Sequence, residues 1–292
     1  MNQISPPRIL VGVDGSEDGL RATRHAAGRA ERVGAELWLV HALDDGAMVG
    51  SSWGLVYDPS LLAEAGRAAI DQAIETATAR GLPRQRIHTD VLVGHPAVVL
   101  EELSHSAEAV VVGRRAATGL ERMFVGSTST SLAATASCPL IVISAASNPG
   151  PTTTHRRVAV AVGAGRSDRA LRWACREAVS REAVLEVVHV ISLQSATTVA
   201  LVSPPRETTD AWRARVQRDL EARVEPLRQE HPGLEVEVSA QVGSPIDQLV
   251  ARSGQVDLLA VSVRSRPITG IALGGTIRGL LAHGRSPIAL LR

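Results

Sequence analysis

Short apolar runs recur along this chain, each followed by a longer stretch whose apolar residues fall three and four apart. In the first half, Ile9–Val13, Glu36–Ala42, Ile87–Val93, Ala109–Gly113 and Leu140–Ser144 read as strands. Between them, Asp18–Val33, Leu61–Arg80, Ala97–Ser106 and Ser127–Ser137 carry helical spacing. Strands that are apolar throughout and alternate with helices predict a parallel sheet buried on both faces. Five such strands and four helices predict a doubly wound α/β layer, flavodoxin-like or Rossmann-like, with helices on both faces.

The pattern then begins again. Arg8-Ile-Leu-Val-Gly-Val-Asp14 faces Arg157-Val-Ala-Val-Ala-Val-Gly163, and Leu37-Trp-Leu-Val-His41 faces Leu185-Glu-Val-Val-His189. Gly94-His-Pro96 returns as Gly243-Ser-Pro245, Ala109–Val112 as Leu258–Val261, and Cys138–Ile143 as Ser286–Leu291. Five landmarks in one order predict a tandem duplication, with domains at residues 1–147 and 155–292. The total of 292 residues, about twice a usual domain, agrees with two cores. Ser144–His155, rich in Pro, Gly and Thr, reads as a linker that cannot hold a strand or helix. Asp44–Ser60 and Gln194–Asp210 are equivalent long insertions after the second strand, of a length usually reserved for functional or mobile loops. The fifth strands, Leu140–Ser144 and Ile288–Leu291, read as apolar edge strands, each preceded by a proline, Pro139 and Pro287.

Composition narrows the classes. Aromatic residues are 2% of the chain, so the cores must be aliphatic. Thirty-one basic residues against 30 acidic leave no basic face for nucleic acid or an anionic membrane. Cys138 and Cys175 occupy non-equivalent places, which suits a reducing compartment and neither a disulfide framework nor a metal cluster. The first ten residues, MNQISPPRIL, hold no apolar leader, and no run approaches the ~20 apolar residues of a membrane span. A soluble, cytoplasmic protein is the expectation.

Chemistry concentrates on two loops. The first strand ends in Val13-Asp14-Gly15-Ser16, where an acid either meets a ligand at the strand's carboxyl end or helps to cap the next helix. After the fourth strand comes Gly113-Arg-Arg-Ala116, then nine residues, then Gly126-Ser127-Thr128-Ser129 opening a helix. A Gly-Ser pair there offers free N–H groups and small hydroxyls to a phosphate, and Gly113 allows a ribose to approach the backbone. Neither GxxxxGK[ST] nor GxGxxG is present, which excludes a Walker-type loop and a dinucleotide fingerprint. His41 and His189 read as core or supporting histidines, and no residues carry metal-ligand spacing. Trp173, Trp212 and Met123-Phe124 read as packing residues, and the arginines after Trp212 as a solvated helix face.

With these landmarks the chain resembles the tandem-domain, ATP-binding subgroup of the universal stress protein family, of actinobacterial type. That subgroup carries G-x2-G-x9-G-[S/T] after the fourth strand and an Asp closing the first. Here stand Gly113-x2-Ala116-x9-Gly126-Ser127 and Asp14, with Gly94-His-Pro-Ala97 after the third strand and Cys138-Pro139 before the fifth. The resemblance implies that Asp14 meets the adenine, with backbone near Gly12 and Val13 and at Ala42. It implies that Val112, Gly113 and Arg115 line the ribose, with Ala116 in place of the motif's second glycine, and that Gly126, Ser127, Thr128 and Ser129 hold the phosphates. Any Mg²⁺ or Mn²⁺ would ride on those phosphates. It further implies fifth strands that pair across a pseudo-twofold, and a homodimer. The second half is eroded: Gly163 stands at the place of Asp14, Ser262 and Ser265 replace the two motif glycines, and only Gly274-Gly275-Thr276 survives. Three functions follow from this reading: an ATP-dependent stress-response or regulatory module with unidentified protein partners, a scaffold without nucleotide, and a slow ATPase. For the last, no general base or arginine finger has a matched position.

Overall fold

The computed structural model describes residues 6–44, 59–114, 126–147, 154–163, 168–192, 208–263 and 273–292. They form two compact units. In the first, the strands are β1 (Arg8–Gly12), β2 (Glu36–Leu43), β3 (Ile87–Val93), β4 (Ala109–Gly113) and β5 (Leu140–Ile143). The helices are α1 (Glu17–Val33), α2 (Pro59–Ala79), α3 (Pro96–Ser104) and α4 (Ser127–Thr135). All strands are parallel, in the order β3-β2-β1-β4-β5. That order is Rossmann-like, which decides between the two topologies the sequence left open. Helices α1 and α2 pack together on one face, α3 and α4 on the other.

The second unit repeats this plan. Its strands are β6 (Arg157–Ala161), β7 (Val184–Ile191), β8 (Val236–Val242), β9 (Leu258–Ser262) and β10 (Ile288–Leu291). Its helices are α5 (Asp168–Ser180), α6 (Thr209–Glu230), α7 (Pro245–Ser253) and α8 (Gly275–His283). The order runs β8-β7-β6-β9-β10, again all parallel.

Helix α1 shows how local chemistry sets the frame for the site. Ser16 caps its start by accepting from the Gly19 N–H at 3.0 Å, and Glu17 and Asp18 complement the dipole of the first turn. Gly34, in the left-handed region, ends it with an N–H donated to the Ala30 carbonyl. Ala22, Ala26 and Ala30 recur one turn apart at 0% exposure, so this small-residue face lies close on the sheet. In the strands it covers, Ile9, Val11 and Val111 are fully buried. Each contributes about 1.5–3 kcal/mol of apolar burial.

Three expectations need correction. β3 is not buried on both faces: Val93 is 70% exposed and Val91 38%, because β3 stands at the edge of its sheet. Ser144–His155 does hold a short helix at its start, the 3₁₀ turn Ala145–Ser147, closed by the Ser147 N–H donating to the Ser144 carbonyl and by paired serine hydroxyls at 2.9 Å. The insertion segments end sooner than read, since α2 already starts at Pro59 and α6 at Thr209. Residues 45–58 and 194–207 of those insertions lie outside the described residues, as do Met123-Phe124 and Ser265. Trp173 is buried in α5 and Trp212 half-buried in α6, while Arg213, Arg215 and Arg218 face solvent. All four residues of β5 and of β10 are buried.

Candidate functional site

In the order β3-β2-β1-β4-β5 the chain reverses direction between β1 and β4, and ligand crevices of open α/β sheets form outside the carboxyl ends of strands at such a switch point. A cleft occupies that position in the first unit. Gly12, Val13 and Asp14 form one wall, and Val40, His41 and Ala42 of β2 continue it. Val112, Gly113 and Arg114 close the opposite side, Pro96 and Leu100 of α3 form the floor, and Gly126–Ser129 open α4 above it. Its cavity volume is about 140 Å³, and counted out to the open mouth the space is about 670 Å³. An enclosed space near 150 Å³ accommodates a single aromatic ring.

Gly15, at φ +75°, lets the chain turn sharply after β1. Asp14 Oδ1 then accepts from both the Ser16 N–H, at 3.0 Å, and the Ser16 hydroxyl, at 2.6 Å. The two readings of this loop are therefore compatible: Ser16 is the cap of α1, and Asp14 braces it with one oxygen. Asp14 is exposed and lines the cleft. Glycine recurs at Gly94 and Gly243 because both take positive φ, 140° and 152°, at the turn into α3 and α7.

At the start of α4, Gly126 is the cap residue, so no side chain accepts from the first-turn N–H groups. The N–H groups of Ser127, Thr128 and Ser129 have no acceptor within the helix, and they carry its positive dipole end. This is the arrangement that receives anions. The Ser129 hydroxyl is committed elsewhere: it is 2% exposed and donates to the Gly126 carbonyl at 3.0 Å. Gly113 also has a packing reason beyond access for a ligand. A Cβ there would lie 2.7 Å from the Asp18 carbonyl carbon and 2.9 Å from the Gly19 nitrogen, so β4 ends directly against the α1 backbone.

The structure thus brings Gly12, Val13, Asp14, Ala42, Val112, Gly113, Gly126, Ser127, Thr128 and Ser129 around one cleft. Arg115 and Ala116 lie outside the described residues. Sequence reasoning missed Val40, Leu100 and Arg114 and set His41 aside; the order of the strands, invisible in sequence, is what turns them inward. Pro96 carried a signal, since it belongs to the Gly94-His-Pro-Ala97 landmark. His41 donates to the Val13 carbonyl at 2.8 Å, and His189 repeats this bond to Val162 at 2.6 Å.

In the second unit Gly163 stands where Asp14 would be, and Ala161 where Gly12 would be. A Cβ at Gly12 would lie 2.8 Å from Leu100 Cδ1, on the cleft floor, so Ala161 adds a methyl at a place the first unit keeps clear. Gly274 caps α8 without a side-chain bond, as Gly126 does α4. Among the described residues no group of three or more His, Cys, Asp or Glu lies together as a metal site, and no helix is long and apolar enough to cross a membrane.

Fold and cleft define a tandem Rossmann-type α/β protein with an uncapped helix terminus at the switch point of its first unit. The chain belongs to the universal stress protein family, whose family model matches residues 7–144 and again 154–292. It is 27% identical to a universal stress protein of Mycobacterium tuberculosis over 303 aligned positions, covering 99% of both chains. It is 32% identical over 142 residues to one from Methanocaldococcus jannaschii, covering 47% of this chain and 81% of that protein. The crystal structure of a universal stress protein from Archaeoglobus fulgidus superposes with a TM-score of 0.71 at 18% identity, covering 99% of this chain and 97% of that one.

Proposed function

We propose that the first unit binds an adenine nucleotide, ATP, and that occupancy biases the protein toward one conformation read by partner proteins in a stress response. One observation carries the proposal: Asp14 and the uncapped first turn of α4 converge on a single cleft at the switch point. A cleft volume of about 140 Å³ suits one aromatic base, beside Asp14 and the backbone of Gly12, Val13 and Ala42. The ribose would lie along Val112 and Gly113, with Arg115 beside it, and the phosphates against Gly126–Ser129. The described residues offer no cluster of metal-ligating side chains, so Mg²⁺ or Mn²⁺ would be held through phosphate oxygens.

The second unit, with Gly163 in place of the acid and Ala161 in place of Gly12, is the partner domain and binds no nucleotide in this reading. A homodimer is part of the same proposal, since closed twofold assemblies are the commonest kind; sedimentation equilibrium reads it directly. The main test is occupancy. Purified protein is denatured and any released nucleotide identified by mass spectrometry, while melting is followed with and without millimolar ATP and Mg²⁺. Release of an adenine nucleotide, or a rise in melting temperature with ATP, is expected. Neither appearing would leave the nucleotide-free scaffold as the function. Steady-state turnover of ATP separates the regulatory module from a slow ATPase.

A further inference from the structure

His41 stands near the end of β2, and its Nδ1 lies 2.8 Å from the Val13 carbonyl oxygen. A carbonyl can only accept, so the ring donates through Nδ1–H in either protonation state. Val13 is tied to β2 a second time, its own N–H donating to the Val40 carbonyl at 2.9 Å. The residue immediately before Asp14 is therefore pinned through both of its backbone polar groups. Behind the ring lies Gly66 of α2, which is buried. A Cβ at Gly66 would sit 2.6 Å from His41 Cδ2 and 3.1 Å from Nε2, closer than a methyl can come. The ring is held between a helix backbone and a strand carbonyl, and it also lines the cleft.

The internal repeat separates two parts of this arrangement. His189 makes the same bond to Val162, and Val162 the same bond to Val188, so the latch between the first two strands belongs to the fold of both units. The close helix does not recur. Helix α6, which takes the place of α2, contains no glycine between Thr209 and Glu230. Only the unit that retains the acid brings a bare helix backbone against the ring.

We infer that Gly66 and His41 are a positioning pair for the base pocket: α2 presses the ring, the ring holds the Val13 carbonyl, and the held carbonyl sets Asp14 against the cleft. The inference rests on the nucleotide-binding reading for its functional consequence. Its geometry stands apart from that reading. A methyl at position 66 drives the ring off Val13 or into the cleft that it lines. Either displacement harms a bound base. Intrinsic helix propensity works the other way, since alanine favours the helix over glycine. The expected signature of Gly66→Ala is thus weaker binding without a less stable fold.

The experiment compares wild type with Gly66→Ala, His41→Leu, His41→Asn and His189→Leu. Each is titrated calorimetrically with ATP and Mg²⁺, and each apo melting temperature is recorded. Loss of one hydrogen bond in the latch should weaken binding about tenfold in His41→Leu, with Gly66→Ala affected at least as much. In His41→Asn the amide nitrogen reaches the place of Nδ1, so affinity should recover to within about threefold of wild type. His189→Leu loses the same bond in the other unit and should bind as wild type does. A parallel measurement needs no nucleotide: amide exchange at Ser16, whose N–H donates to Asp14 Oδ1 at 3.0 Å, should quicken in Gly66→Ala and His41→Leu and not in His189→Leu. A wild type that binds no nucleotide defeats the functional proposal, while the exchange rates still decide the positioning pair. Unchanged Ser16 exchange in Gly66→Ala and His41→Leu, or equal losses in His41→Leu and His189→Leu, would overturn it.

Discussion

At the start of β6, the Arg157 guanidinium donates to Glu186 on β7 and, at 2.7 and 2.9 Å, to Glu237 on β8. Arg252 of α7 donates to the other Glu186 oxygen at 3.0 Å. Glu186 is almost fully buried, so these two arginines are what keep its charge tolerable. The first unit fills the same corner without that network: Arg8 stacks over the Trp38 ring at 4.6 Å, and Trp38 donates to Asp90. The bonds to Glu237, then to Glu186, raise the Arg157 pKa above its ordinary value, and the bond from Arg157 holds Glu237 below the usual carboxylate range. A depressed folded pKa means stability that is present above the unfolded pKa and lost as pH falls through the folded one. Glu237 is 46% exposed, so screening limits its share to less than about 1 kcal/mol. Urea titrations from neutral pH into the carboxylate range should show this share in wild type and not in Glu237→Gln. Arg157→Ala strands Glu186 on Arg252 alone and should cost about 3 kcal/mol; a loss under about 1 kcal/mol would place this pair among ordinary surface bridges. Gly126 is a second residue-scale case. Its Cβ would meet the Arg114 carbonyl oxygen at 2.9 Å, whereas around Gly274 nothing lies within 4 Å. Gly126→Asp, adding a negative charge at the helix terminus, should abolish the ATP-dependent melting shift, while Gly274→Asp leaves it. Loss of the shift in Gly274→Asp alone would assign the site to the other unit.

At the scale of elements, β4 and α1 meet more closely than side chains would permit. Gly113→Ala places a methyl under 3 Å from the backbone of Asp18 and Gly19, so strand and helix must part. A cost of about 1–3 kcal/mol is expected in denaturant unfolding, together with weaker nucleotide binding, because the same strand end lines the cleft. Unchanged stability would show that α1 yields freely at its first turn. Strands and helices were legible in the pattern of apolar residues: Ile87–Val93 and Ala109–Gly113 stand as read, and the remaining described ends in the first unit differ by at most two residues. The burial of β3 was legible only in part. His88, Thr89 and Asp90 interrupt its apolar run, as in no inner strand of this sheet, and its place at the end of the sheet leaves Val91 and Val93 in water as well. Cys175 illustrates the converse, a position whose reactivity follows from packing. Burial first, then the Glu230 charge, pushes its thiol up, so native protein should resist thiol reagents at this position until α5 opens. Peptide mapping after a brief alkylation checks this.

For the whole molecule, binding to the folded state alone links nucleotide to stability. At a hundredfold excess of ATP over its dissociation constant, the gain is about 2.7 kcal/mol. It should be confined to the unit that holds Asp14, and amide exchange resolves which strands gain protection. Protection spread equally over β1 and β6 would contradict the division of labour between the units. What the sequence determined by itself were the short-range features: the duplication, the element types, the recurrence of Gly94 as Gly243, and the Gly126-Ser127 helix start. Each depends on a period, a φ preference or a cap, which neighbours along the chain dictate. Tertiary structure alone decided the order β3-β2-β1-β4-β5, and with it which ends face one another across a cleft. Val40, Leu100 and Arg114 entered the site that way, and Gly66 came to lie against His41 from a helix 25 residues further along the chain. No local preference encodes such approaches, because they arise from close packing of elements distant in sequence, where the absence of one methyl group sets how near a helix can come.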